Sequence, residues 1–121
     1  MNQALQTVSS EEAARRYGSK EPFQVDDILY STWGYDQTNV DFYKVLAVKG
    51  SFVTVRELQQ VKNYTGSMVG TALPVDAFAE TGSPIRRKMN FSGSRPIIKV
   101  AKWGRYTWRW TGQPVSFSEY A

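Results

Sequence analysis

The sequence predicts a mostly β protein: a small barrel-like antiparallel sheet with a short N-terminal helix. Three observations support this. Apolar residues alternate with polar ones in six or so short runs, separated by turns rich in Gly, Pro, Ser and Asn. The 121 residues are 41% hydrophobic and 14% aromatic, enough for one core without staples and too much for a disordered chain. Only one stretch carries helix signals. The organisation expected is a flexible N-terminus with a short helix over 1–22, then a single β domain over 23–121.

The helix signal is Ser9-Ser10-Glu11-Glu12, a capping box with Ser9 as N-cap and Glu12 three residues on. Ala13, Ala14, Arg15 and Arg16 favour helix, and Gly18 suits its end. Two turns are too short to stand alone. From Phe23 onward the text is β. Ile28-Leu29-Tyr30 opens a strand that reaches about Trp33. Val40–Val48 carries apolar groups on both faces, as a strand in a small closed barrel does. Lys49-Gly50-Ser51 is a tight turn and Phe52–Gln60 the returning strand of a hairpin.

Further on, Thr65-Gly66-Ser67 turns the chain into a strand over Met68–Val75, ended by Pro74. Ala77–Gly82 reads as a loop, Pro84–Asn90 as a strand with a basic face, and Phe91–Ser94 as a loop. Ile97–Trp103 and Arg105–Trp110 are strands around Gly104. Thr111–Pro114 turns, and Val115–Phe117 is a short extended tail. The opening FQVDDILYSTW resembles the first strand of SH3-like barrels, where an acidic turn precedes an apolar strand.

Composition removes several chemistries. No cysteine is present, so disulfides, thiolate metal sites and cysteine nucleophiles are excluded. No histidine is present, which removes the commonest general base and metal ligand and rules out a Ser-His-Asp triad. Gly66, Gly70 and Gly82 lack the spacing and following Lys of a phosphate loop, so no cofactor is expected. Apolar runs are short and residues 1–20 lack a signal-peptide pattern, which points to a cytoplasmic protein with no membrane partner.

Net charge is +4, but the sign divides along the chain. Residues 1–80 hold seven Lys/Arg against ten Asp/Glu; residues 81–121 hold eight against Glu119 alone. A basic last third points to a polyanion or an acidic protein surface. The plain alternative is charges that segregate in sequence and mix in space.

STWGYDQTNVDFYKV, with the distant WTGQPVSFSEYA, resembles a family of small uncharacterised proteins of bacteriophages and mobile elements. Shared features are a W-G-Y-[DE]-Q-T-N loop, here residues 33–39, and a W-x-G-x-P tail ending in Tyr-Ala, here Trp110, Gly112, Pro114, Tyr120 and Ala121. The resemblance covers residues 23–121. It implies a phage or mobile-element setting in a bacterial host and no particular activity.

Three groups of residues carry candidate function. In the loop, Trp33, Tyr35, Asp36, Gln37 and Asn39 form a stacking and hydrogen-bonding surface suited to a protein partner. The structural alternative has the polar groups cap their own turn while Trp33 and Tyr35 wedge beneath. In RYTWRW, Arg105, Thr107 and Arg109 share one strand face; Tyr106, Trp108 and Trp110 share the other. The expectation is rings inward and arginines outward. Arg86, Arg87, Lys88, Lys99 and Lys102 would then extend Arg105 and Arg109 into a basic strip for nucleic acid. Among the carboxylates, Asp41 and Glu57 are placed to approach across the hairpin, as an acid/base or magnesium pair would.

The leading expectation is a non-catalytic protein that binds DNA or RNA through a basic C-terminal β surface. The second is an interaction module that binds or inhibits a host defence or nucleic-acid-processing protein. The third, least supported by motifs, is a carboxylate and magnesium enzyme.

Overall fold

The period-two alternation becomes nine antiparallel strands in one sheet. The computed structural model describes Glu11, Arg15 and residues 21–34, 37–101 and 105–119. The strands are β1 (Ile28–Trp33), β2 (Asn39–Lys49), β3 (Phe52–Gly66), β4 (Val69–Phe78), β5 (Ile85–Lys88), β6 (Asn90–Ser92), β7 (Arg95–Ala101), β8 (Arg105–Arg109) and β9 (Val115–Ser118). Their order is β6-β7-β8-β1-β2-β3-β4-β9, with β5 paired to β3 beside β4. The expected N-terminal helix falls outside the described residues apart from Glu11 and Arg15, and no helix stands among the described elements.

The sheet is not closed into a barrel, which corrects the expectation from Val40–Val48. Its end strands, β6 and β9, do not pair with each other. The reason lies at Met89. Up to Lys88 the chain pairs with β3, Phe52 facing Lys88 and Val55 facing Ile85. From Asn90 it pairs instead with β7. Between them the Met89 N–H donates to Ser51 O at 2.7 Å. One residue separates the two ladders, and no rung carries both.

Both faces of β1 and β2 are nonetheless covered, each by its own cluster. On one face Leu29, Tyr43, Val45, Val53, Val55, Ile98 and Val100 pack around Phe23. On the other, Ile28, Val40, Phe42, Leu58, Ala72 and Phe117 pack around Trp110. Trp110 is fully buried, edge-on to Phe42 with ring centroids 6.1 Å apart, and its indole N–H donates to Gln113 O. An irregularity between Val45 and Ala47 keeps the first core continuous. It offsets the alternation, so Val48 packs against the same cluster as Val45. Gly50 takes a left-handed φ of 60° in the β2–β3 turn, as expected.

The long β3 serves two neighbours on the edge away from β2. Phe52–Val55 pairs with β5 and Leu58–Gly66 with β4. Pro74 does not end β4, which runs on to Phe78. Beyond Ala72 the β9 ladder has stopped, so the missing Pro74 N–H breaks no pairing on that side. The extended tail is β9, an edge strand on β4. No helix among the described residues is long and apolar enough to cross a membrane.

Candidate nucleic-acid interface

The basic residues separate into two populations. Arg109 leaves the surface. Its side chain is 6% exposed, and its Nη2 donates at 3.1 Å to the Asp27 carboxylate and to the carbonyls of Glu21 and Pro22. Its guanidinium also lies 5.2 Å over the Phe23 ring. Thr107, on the same strand face, is fully buried and donates its hydroxyl to Ile98 O. The expected orientation of β8 is therefore reversed: Arg109 and Thr107 face the core, and Tyr106 is 40% exposed. Trp110, just past the strand end, does fill a core as expected.

Arg105 sits at the rim of the same face. It pairs with the Asp41 carboxylate and lies 4.4 Å over the Trp33 ring, while the Trp33 indole N–H donates to Asp41 at 2.7 Å. Its charge is answered locally, so neither Arg105 nor Arg109 belongs to a free basic strip. Arg86 lies 4.1 Å over the Phe52 ring on the neighbouring strand. Lys102 lies outside the described residues.

Arg87, Lys88 and Lys99 behave differently. All three are exposed, and with Asn90 and Ala101 they line one open groove of about 370 Å³. The partner switch at Met89 makes this groove, since it lies where β5 parts from the sheet that continues through β7. Among the described residues no carboxylate pairs with any of the three. Glu119, the lone acid of the last third, instead meets Lys62 and the Tyr64 hydroxyl on β3. The groove is a concentrated positive surface that can hold phosphates by charge.

The loop is tied down from outside itself. The Thr38 N–H donates to Ser118 Oγ at 2.9 Å, and the Ser118 N–H returns to Thr38 O at 3.0 Å. The Gln37 amide donates to Asn39 Oδ1. Gly34 needs its φ of 133°, and a Cβ there would fall 2.0 Å from Gln37 O. The loop and tail stretches that carry the family resemblance are thus neighbours in space. Trp33 stays 40% exposed; Tyr35 and Asp36 lie outside the described residues.

Asp41 on β2 and Glu57 on the adjacent β3 do come near each other: Glu57 faces Tyr43 in register, two residues along β2 from Asp41, and Asp41 pairs with Arg105. Burial, then Asp41, pushes the Glu57 carboxyl above its ordinary range, and Arg105 partly offsets this. Burial, then the same carboxylate, pushes the Tyr43 hydroxyl from 10.0 up to about 12. A folded hydroxyl with a raised pKa holds a proton that the unfolded chain releases. Stability is therefore full below pH 10 and falls as pH climbs from 10 toward 12, by about 2–3 kcal/mol at the upper end. Denaturant midpoints measured across that range check this: a Tyr43→Phe protein should lose much of the decline. Glu57 acts in the same direction at acid pH, favouring the fold while protonated and less as it ionises.

Sequence reasoning missed Asn90 and Tyr106 as neighbours of the groove. Only strand register places Tyr106 directly opposite Lys99 and Asn90 opposite Ile97. It also missed Asp27 as the partner of Arg109; the acid excess of the first 80 residues was the one hint.

No protein-family model, curated protein or solved structure matches the chain.

Proposed function

We propose that the chain is a non-catalytic nucleic-acid-binding protein that uses the Arg87, Lys88 and Lys99 groove rather than the whole basic C-terminus. One observation carries this reading: three cations converge on a single open groove with no carboxylate paired to them among the described residues. A protein that only needed solubility would gain nothing from leaving them together, because like charges repel at short range. The setting in a phage or mobile element, within the host cytoplasm, rests on the loop and tail resemblance.

Three phosphate contacts predict a log–log salt slope of roughly −2.1 to −2.7. A fourfold rise in salt should then weaken oligonucleotide binding about 20- to 40-fold. Fluorescence anisotropy with labelled DNA and RNA measures this. The triple substitution Arg87→Gln, Lys88→Gln, Lys99→Gln should flatten the slope, while Arg105→Gln should barely alter it. Absence of binding at low salt ends the proposal.

A second reading has its own observation. Trp33 is half exposed yet held rigid by Asp41 and Arg105, and a rigid exposed Trp is a common interface anchor. Under that reading the partner is a host protein, and the titration above shows nothing.

A further inference from the structure

Resting on the proposed function, we infer that the groove takes single-stranded rather than duplex nucleic acid, with Tyr106 stacking on an unpaired base. Tyr106 faces Lys99 directly across the β7–β8 ladder. Side chains opposite each other in a ladder lie on the same face, roughly 5 Å apart at Cβ. Lys99 lines the groove, so the exposed Tyr106 ring, though not itself part of the lining, stands beside one of the groove's cations. Asn90, which faces Ile97 on the next strand, supplies an amide on the same outward side.

The chemistry of the ring favours a single strand. Bases in a duplex stack on each other and offer no free face, so a ring beside the backbone path is useful only to an unpaired base. Trp108 follows Tyr106 on the same face two residues on, roughly 7 Å along the strand, although it is half-buried. The exposure of Tyr106 reflects the reversal of β8: with Thr107 and Arg109 turned inward, the ring is turned out.

The test compares a labelled oligothymidine single strand with a mixed-sequence duplex of equal length at low salt. The single strand should bind more tightly. Tyr106→Ala should weaken single-strand binding about 5- to 150-fold, leave duplex binding unchanged and keep the salt slope, since it removes stacking and no charge. Tyr106→Phe retains the ring and should bind like the parent, and a thermal melt of both variants confirms that the fold is kept. Duplex binding as tight as single-strand binding, or a Tyr106→Ala protein that binds the single strand normally, overturns the inference while leaving the groove intact. Failure of both probes to bind overturns it together with the function on which it rests.

Discussion

An Arg109→Ala protein is expected to lose about 3–5 kcal/mol of folding stability, because removing one partner of a buried ion pair strands the other. A domain of this kind holds only about 5–15 kcal/mol in total, so a large share would go. The cause is specific. Arg109 Nη2 meets three oxygens: Asp27 Oδ2, Glu21 O and Pro22 O. The same Asp27 oxygen accepts the Gln24 N–H at 2.8 Å, so the carboxylate is fixed in place and cannot swing out to water. Alanine leaves that buried carboxylate without its cation and two carbonyls without this donor. Arg109→Lys keeps the charge but loses the planar fork, and should recover only part of the loss. Urea unfolding checks both variants. A loss below about 1 kcal/mol would place the pair among weak surface contacts. The folded fraction should bind oligonucleotides like the parent, because Arg109 is not in the groove.

Trp110→Ala should cost a similar amount, about 3–5 kcal/mol, through a different mechanism. No charge is stranded; a cavity opens. Trp110 has no exposed surface, packs edge-on against Phe42, and joins β1, β2, β3, β4 and β9 through the cluster around it. The melting temperature should fall by about 10–20 °C, read by near-UV circular dichroism. Trp110→Phe fills much of the space but leaves Gln113 O without its indole donor, and should lose less. Arg109 and Trp110 are adjacent in sequence yet serve opposite faces of the sheet. Because a strand alternates, two consecutive residues anchor the two cores.

The hairpin β2–β3 was legible in the sequence because its signals agree: alternation, a Lys-Gly-Ser turn and aromatic strands. So was the approach of Asp41 to Glu57, which follows from that hairpin's register. The facing of β8 was not. Alternation sorts Arg105, Thr107 and Arg109 from Tyr106 and Trp108, but does not say which set points inward. Hydrophobicity favours the rings, and it is overruled because Asp27 waits inside for Arg109. A buried arginine with its partner far away in the chain reads in sequence as a surface arginine. The barrel was misjudged for a related reason: Pro84–Asn90 reads as one strand, and nothing local shows that it changes neighbours at Met89. The groove that carries the proposed function exists because of that change. Its three cations were visible in the sequence, but the way they gather was not.

The pairing of distant segments has a consequence for how the protein comes into being. Asp27 and Arg109 are 82 residues apart in the chain, and Thr38 and Ser118 are 80 apart. While the ribosome is still making the middle of the chain, the first hairpin is already outside, with both its oily sides bare. The side that packs around Trp110 and Phe117 stays uncovered until those residues emerge. The fold is thus completed late, slowed by the long loops it must close. The newborn chain passes through a sticky interval that its finished form does not reveal.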